Sequence, residues 1–179
     1  MTVIIITGPL ASLKTTIAYR LAKDLDGVCL SKDDVKEAIA LDITPINPEQ
    51  NQAMSRAAIN VMVSLVKHNQ HLSKVMIVEA NLKYEEYMMF TTYLHNHAVP
   101  YKTVFLYADL KTMYKRYIDR EPHRHPVHKP HDPMTYAMFK VSANYYHRTF
   151  FDIATITFDT TFFDDCAFKR LRTLLTTHQ

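Results

Sequence analysis

The sequence predicts an α/β fold, one domain in which helices cover a parallel sheet. Short apolar runs typical of strands alternate with amphipathic stretches typical of helices along the whole chain. The first run, Thr2–Thr7, is apolar and mostly β-branched, as in a strand that is buried on both faces. No repeat or linker interrupts the 179 residues, so we expect a single domain over 1–179.

Periodicity and capping residues place the elements of the first half. An apolar stripe at helical spacing predicts a first helix that reaches Leu25. A short apolar run predicts the second strand at 27–31, and the polar residues that end it start a helix that includes Ile39. Prolines then break the chain, and a long amphipathic stretch predicts a helix over 49–68.

The second half continues the alternation. Strands are predicted at 74–79, 103–107 and 154–158, and helices over 84–96, 109–118, 134–151 and 163–175. The segment 120–133 holds four prolines and four histidines and has no apolar period. We therefore expect a mobile flap there, within a lid over about 116–133.

A phosphate-binding pattern lies between the first strand and the first helix. Gly8-x-x-x-x-Leu13-Lys14-Thr15 matches G-x-x-x-x-G-K-[ST], except that leucine replaces the second glycine. A loop that closes onto a helix N-terminus points free N–H groups and the positive end of the helix dipole at one place, where a polyphosphate fits. Lys14 adds a charge for the β- and γ-phosphates, and the Thr15 hydroxyl can coordinate Mg²⁺. The pattern predicts nucleotide binding by Gly8, Pro9, Leu10, Ala11, Ser12, Leu13, Lys14, Thr15 and Thr16.

Leu13 is the departure from this pattern. A side chain there crowds the phosphates if the backbone needs a positive φ, whereas a right-handed helical Leu13 in the first turn of the helix points away. We expect the right-handed conformation, because the lysine, the threonine and the flanking elements are intact. The competing interpretation is a strand–helix corner with an incidental Lys-Thr pair.

The second strand ends in polar residues that the sheet delivers to its carboxyl edge, where sites form in such folds. Asp33 can accept the proton of an attacking hydroxyl as a general base. Asp34 is better explained as part of a capping box with Ser31. Lys36 lies one turn further on and either holds an anionic or hydroxyl-rich acceptor or is simply solvated.

The third strand ends in Glu79, followed by Asn81. An unpaired carboxylate at the end of an apolar strand is costly to bury. Glu79 can hold Mg²⁺ or orient the acceptor, and the alternative is an ion pair with a nearby lysine or arginine. We favour the site role for Glu79 and place Asn81 beside the acceptor.

Three arginines, Arg116, Arg120 and Arg124, recur at intervals of four residues at the start of the lid. We expect Arg116 on the helix surface. We expect Arg120 and Arg124 to neutralise the charge that gathers on the oxygens during phosphoryl transfer. The four flap histidines lack the cysteines or carboxylates of a zinc site and are interpreted as exposed loop residues beside a nucleotide. They are His123, His125, His128 and His131.

Composition limits the partners. The net charge of +3 is too small to indicate nucleic acid by itself, so a nucleic-acid partner is not favoured. Cys29 and Cys166 form no metal or redox motif and are interpreted as buried thiols in a reducing compartment. The N-terminal apolar run is too short to span a bilayer and lacks the features of a signal peptide. We expect a cytoplasmic protein without a membrane partner.

The motifs together resemble small P-loop kinases of the AAA_33 type, which are related to polynucleotide 5′-kinase, chloramphenicol phosphotransferase and zeta-toxin kinases. The matching segments follow the order of that family and span most of the chain, at 8–16, 30–38, 78–81, 116–128 and 158–161. The resemblance implies a three-layer P-loop NTPase fold with a five-stranded sheet in the order 2-3-1-4-5, helices on both faces and a lid. It also implies that Asp159 and Thr160 lie beside adenine.

The resemblance further implies Asp33 as the base, Lys36 as an acceptor contact, Glu79 near metal and acceptor, and Arg120 or Arg124 as lid arginines. The hypothesis is Mg²⁺-dependent transfer of the γ-phosphoryl group of ATP to a hydroxyl. A nucleoside or nucleotide, a nucleic-acid 5′ end, an antibiotic or a sugar nucleotide are all open as the acceptor. The alternative is a regulatory protein that binds ATP through a degenerate loop and transfers nothing.

Overall fold

A computed structural model describes residues 1–45, 47–72, 74–129 and 132–177. Five strands form one parallel sheet in the order β2-β3-β1-β4-β5, which confirms the expected topology. The strands are β1 Thr2–Thr7, β2 Val28–Ser31, β3 Val75–Glu79, β4 Tyr101–Tyr107 and β5 Ile156–Asp159. Strand β1 lies at the centre, where Ile5 pairs with Val78 of β3 on one side and Thr103 of β4 on the other.

The strands alternate with helices, as the sequence predicts. The helices are α1 Lys14–Asp24, α2 Lys32–Ala40, α3 Pro48–His68, α4 Tyr84–Asn96, α5 Leu110–Arg120, α6 Tyr136–Phe150 and α7 Asp165–Thr177. Two of them start with clear caps. Asn47 Oδ1 accepts a hydrogen bond from the Gln50 amide at 2.8 Å, with Pro48 at the first helical position. Asp109 Oδ1 accepts from two amides at the start of α5, as expected for a cap.

Alternate side chains of β1 enter two cores on opposite faces of the sheet. Val3 and Ile5 pack with residues of α3, α4 and α6 in one cluster. Ile4 and Ile6 pack with residues of α1 and α7 in the other. All four side chains are at most 4% exposed. A strand that is buried on both faces in this way requires helices on both sides of the sheet, which is the three-layer arrangement.

The flap is better ordered than the sequence predicts. Two short 3₁₀ turns, Glu121–His123 and Pro126–His128, replace the irregular loop that was expected. Val127 is buried, and its carbonyl accepts a hydrogen bond from Lys36 of α2. The flap therefore packs against α2 around Val127. Pro130 and His131 lie outside the described residues.

Within the described ranges, no helix combines the length and the apolar character needed to cross a bilayer.

Candidate active site

A cleft of about 480 Å³ opens at the carboxyl edge of the sheet. Its walls are the loop after β1, the start of α2, the end of β3, one face of α3, the end of α5 and the flap. This is the edge at which ligands bind in open parallel sheets. Most of the residues that the sequence singles out meet here, namely the loop residues Leu10–Thr16 with Asp33, Lys36, Glu79, Asn81, Arg120 and Arg124.

The loop after β1 leaves the strand at Gly8, where only glycine fits. Its φ is +151°, and a Cβ there would lie 2.1 Å from the carbonyl oxygen of Leu106 in β4. The loop is then braced from within and from behind. Ser12 Oγ donates to the Pro9 carbonyl at 2.9 Å. The hydroxyl of the fully buried Thr160 donates to the Tyr107 carbonyl at 2.9 Å and shares its hydrogen with the Ser12 carbonyl at 3.4 Å.

The expectation that Leu13 is right-handed is wrong. Leu13 has φ +63° and ψ +19°, in the left-handed region, and Ala11 has a φ of +60°. The Leu13 carbonyl nevertheless accepts the first hydrogen bond of α1, from the Ile17 amide at 3.0 Å. Leu13 packs against the cluster that contains residues of α1 and α7. This apolar contact offsets part of the backbone strain, which is about 1–2 kcal/mol for a residue with a Cβ.

Lys14 is held inside the loop and is only 8% exposed. Its ammonium donates to the Pro9 carbonyl at 2.7 Å. Burial lowers the pKa of Lys14 to about 8, and the negative charges of Glu79 and Asp33 oppose that shift. A cation aimed at this point, beside the free N–H groups of a helix start, is suited to polyphosphate binding.

Glu79 is 4% exposed and is held by hydroxyls. Ser31 Oγ donates to Glu79 Oε2 at 2.9 Å, and a hydrogen bond from Thr15 adds to it. Burial raises the pKa of Glu79, while Lys14 and the two hydroxyls oppose the rise. No lysine or arginine of the described ranges lies within 4.0 Å of Glu79, and the cation that acts on it most is Lys14 of the phosphate loop.

The predicted capping box at the start of α2 is also wrong. The Ser31 hydroxyl bonds to Glu79 and does not cap the helix. Asp34 accepts a hydrogen bond from the Tyr19 hydroxyl of α1. Ser31 is thus part of the site, since it ties the end of β2 to the carboxylate at the end of β3.

Asp33 is half-buried and faces the flap. His128 Nδ1 lies 3.8 Å from Asp33 Oδ1, and His128 Nε2 lies 3.0 Å from Glu37 Oε1. The His128 side chain is only 8% exposed, which corrects the expectation of an exposed loop histidine. Burial lowers the pKa of His128, and the charges of Asp33 and Glu37 oppose that shift. Of the other flap histidines, His123 is exposed and His125 is half-buried.

The arginines reach the cleft in different ways. Arg116 is not on the helix surface as expected, because its Nη2 donates to the carbonyls of Thr160 and Thr161 at 2.8 and 3.1 Å. Its Nη1 is buried and has no hydrogen-bond partner in the described structure. Arg124 Nη1 donates to Glu121 at 2.8 Å. Burial lowers the pKa of Arg120, and neighbouring Arg124 adds to that shift.

The AAA_33 family model, described as an AAA domain, matches residues 3–141. The chain belongs to the AAA_33 family. No curated protein sequence matches it closely enough to count as a relative.

Solved structures share the fold of this AAA_33 protein over nearly its whole length. A protein of Chloroflexus aurantiacus J-10-fl to which kinase activity is ascribed superposes with a TM-score of 0.81 at 23% identity, covering 98% of both chains. Shikimate kinase of Bacteroides thetaiotaomicron has a TM-score of 0.66 at 16% identity and covers 97% and 98% of the chains. The APS kinase of Mycobacterium tuberculosis, in complex with AMPPNP and APS, has a TM-score of 0.59 at 13% identity, and the match covers 98% of both chains. The chain thus has the fold of P-loop kinases.

Two residues expected near adenine take structural positions in this AAA_33 protein. Neither Asp159 nor Thr160 is among the described residues that line the cleft. Asp159 Oδ1 accepts a hydrogen bond from the Thr161 amide at 2.7 Å. Thr160 is fully buried and braces the loop. The carbonyls of Thr160 and Thr161 hold the side chain of Arg116, and Arg116 lines the cleft.

Helix α3 contributes two cleft residues that sequence reasoning missed, Asn51 and Ser55. Asn51 Oδ1 is buried and has no hydrogen-bond partner in the described structure. The signal was present but weak: two polar residues one turn apart on the same face of an amphipathic helix.

The site offers a magnesium ion few ligands of its own. In the described ranges, no cluster of three or more histidine, cysteine, aspartate or glutamate side chains could hold a metal ion. Glu79 and the Thr15 hydroxyl are adjacent oxygen donors beside the phosphate loop. This set fits Mg²⁺, which proteins usually bind through one or two side chains together with substrate phosphates and water.

Proposed function

We propose that this protein is an ATP-dependent phosphotransferase that transfers the γ-phosphoryl group to a hydroxyl of a small molecule or nucleotide. One observation carries the proposal. The phosphate loop with Lys14 shares a single cleft with a half-buried carboxylate, Asp33, and with the lid arginines Arg120 and Arg124. The AAA_33 match and the fold shared with kinases support it.

Each group has a distinct role in the transfer. Lys14 and the loop amides hold the β- and γ-phosphates. The acceptor oxygen forms a bond to the γ-phosphorus while the bond from that phosphorus to the β,γ-bridging oxygen breaks, and ADP leaves with the electron pair. Asp33 takes the proton of the acceptor hydroxyl. Arg120 and Arg124 neutralise the charge on the transferred group as the flap closes out water.

Thr15 and Glu79 would hold Mg²⁺ in this proposal, and the ion would neutralise part of the charge on the triphosphate. Ser31 fixes the Glu79 carboxylate for this role through its 2.9 Å hydrogen bond. Because burial raises the pKa of Glu79, a nearby cation also keeps that carboxylate ionised.

A small-molecule acceptor is favoured over a nucleic-acid end. Two of the structures that share the fold are, by their names, kinases of shikimate and of APS, both small compounds. The expectation that both cysteines are buried is wrong, because Cys29 is half-buried and Cys166 is exposed on α7. Both are free thiols, which supports a location in the reducing cytoplasm.

The test is calorimetric titration with the ATP analogue AMPPNP, with and without Mg²⁺, followed by ADP-release assays with candidate acceptors. Asp33→Asn keeps the shape of the side chain but removes the base. We expect it to bind MgAMPPNP within about threefold of the unaltered protein and to lose about 100-fold or more in transfer rate. Transfer at the normal rate would remove Asp33 from the base role, and failure of the unaltered protein to bind ATP, GTP or their analogues would overturn the phosphotransferase.

Left-handed Leu13 favours a second candidate, an ATP-binding regulatory protein that transfers nothing. A Cβ at this point of the loop lies where the family pattern has glycine. The candidates differ in one measurement. The regulatory protein binds MgAMPPNP tightly, yet no acceptor in the screen stimulates ADP release, and Asp33→Asn changes nothing.

A further inference from the structure

The cleft is more positively charged than a magnesium–nucleotide complex requires. Among the described residues, seven cationic side chains line it against two carboxylates: Lys14, Lys32, Lys36, Arg116, Arg120, Arg124 and Lys129, against Asp33 and Glu79. Arg124 is already paired with Glu121, which leaves six cations against two carboxylates. The metal ion itself neutralises half of the triphosphate, so MgATP cancels only part of this excess. A second ligand in the cleft is therefore expected to carry negative charge.

Lys36 is the cation that most needs a counter-ion. It is 6% exposed, between α2 and the flap, and its ammonium donates to the Val127 carbonyl at 3.3 Å. No carboxylate in the described part of the chain lies within salt-bridge distance of it. A buried ammonium without a paired anion is costly. The Lys36 ammonium is aimed into a cleft that already holds the phosphate loop, so the missing anion is expected from a ligand.

Helix α3 supplies an unsatisfied polar group in the same cleft. Asn51 Oδ1 is buried without a partner, and whichever way the amide is turned, its buried end needs one. Ser55, one turn later, donates its hydroxyl to the Asn51 backbone carbonyl at 3.2 Å and not to Asn51 Oδ1. Because α3 packs on α2, Asn51 and Lys36 belong to one wall of the cleft.

We propose that the phosphoryl acceptor is a small hydroxy compound that carries its own anionic group, a phosphate, sulfate or carboxylate. Lys36 binds the anion, with Arg124 and Lys129 of the flap adding positive charge, and the Asn51 side chain hydrogen-bonds a polar group of the same compound. This assignment rests on the proposed phosphotransfer and narrows its acceptor. The cavity volume of about 480 Å³, part of which receives the triphosphate, suits a compound no larger than a nucleotide.

The first test uses inorganic sulfate as the probe. The protein is saturated with MgAMPPNP, which fills the phosphate loop, and sulfate is titrated by calorimetry. We expect binding that weakens at least tenfold in Lys36→Met and returns to within about threefold in Lys36→Arg. Lys115→Met is the matched control, because Lys115 is 78% exposed on α5, outside the cleft, and should bind sulfate as the unaltered protein does.

The outcomes separate this inference from the proposed function. Failure to bind MgAMPPNP overturns the phosphotransferase itself. Normal MgAMPPNP binding without sulfate binding, or with equal sulfate binding in Lys36→Met, overturns only the anionic acceptor.

The second test measures ADP release with acceptor pairs that differ in the anionic group. Ribose is paired with ribose 5-phosphate, glucose with gluconate, and adenosine with its 3′-monophosphate. We expect stimulation by an anionic member at least tenfold above its neutral partner, and the pair that responds identifies phosphate or carboxylate as the group. Asn51→Leu should raise the KM for that compound more than it lowers kcat. Equal stimulation by a neutral partner would overturn the assignment.

Discussion

At the scale of single residues, the left-handed Leu13 is the sharpest departure from the family pattern. Its backbone is in a region that a Cβ disfavours and that branching at the Cβ disfavours further. The side chain offsets part of this strain through its apolar contacts. Both effects can be separated with two substitutions at this one position.

Leu13→Ile keeps the composition of the side chain and moves the branch to the Cβ. We expect it to lower the free energy of unfolding by about 1 kcal/mol, measured by urea denaturation, and to weaken MgAMPPNP binding. Leu13→Gly is the counterpart, which relieves the backbone and should bind MgAMPPNP at least as tightly as the unaltered protein. An isoleucine variant as stable as the leucine protein would show that the loop is not strained here.

Lys14 makes nucleotide binding dependent on pH. Its pKa of about 8 in the free protein means that the ammonium loses its proton just above neutral pH, and phosphate binding requires that proton. We expect the Kd for MgAMPPNP to be constant below pH 8 and to rise about tenfold per pH unit above it. Lys14→Met should bind weakly and show no such rise. A constant Kd for the unaltered protein up to pH 9.5 would contradict the prediction.

The same shift affects stability in the opposite direction. Between pH 8 and 10.5 the unfolded chain holds a proton on Lys14 that the folded chain has lost. The free energy of unfolding of the nucleotide-free protein therefore increases with pH through this window, as far as Lys14 is concerned.

At the scale of elements, two hydrogen bonds fasten the flap to α2. One is the bond from Lys36 to the Val127 carbonyl, and the other joins His128 to Glu37 at 3.0 Å. The same helix carries Asp33 in its first turn. Closure of the flap and placement of the candidate base are thus linked through one short helix.

Glu37→Ala removes the carboxylate that holds His128. We expect the flap to open more often, so that the His128 and Lys129 amides, which donate to flap carbonyls at 3.0 Å, exchange with solvent roughly tenfold faster. Hydrogen-exchange mass spectrometry measures this. Glu85→Ala, an exposed carboxylate on α4, should leave flap exchange unchanged, and an equal effect in both variants would argue against the latch.

The sequence predicted these elements well and their mutual contacts less well. Periodicity located the strands and helices to within a few residues, and the resemblance supplied the strand order. The phosphate loop, Asp33 and Glu79 were found because motif spacing and strand ends are local features. Periodicity carries no information on the sign of a φ angle, and it does not show which element Ser31 or His128 touches. Those features arise from tertiary packing.

At the scale of the whole molecule, the central strand β1 contributes to both cores, and the candidate site lies at the carboxyl edge of the sheet. The apolar side chains of β1 fill both cores, and the same strand delivers the phosphate loop. Edge strand β2 contributes less to the cores and leads directly to the cleft, because Ser31 at its end bonds to Glu79 and the start of α2 lines the cleft.

Ile5→Ala in β1 should therefore be severe. Ile5 is fully buried, and we expect a loss of about 2–5 kcal/mol in the free energy of unfolding. Val28→Ala in β2 is the control, because Val28 is 44% exposed, and it should cost less than about 1 kcal/mol. Urea denaturation of both variants measures the difference, and similar losses would mean that the two strands share the core more evenly than their burial indicates.

The brace that Thr160 gives to Ser12 bears on where this protein can be divided. The AAA_33 match ends at residue 141, within α6, whereas β5, α7 and the Thr160 hydroxyl lie beyond it. A fragment that stopped at the family boundary would leave β4 as an open edge, uncover Ile4 and Ile6, and release the loop from its support. The end of the family match is thus not a domain boundary, and a shortened or fused form of this chain should keep the residues after 141.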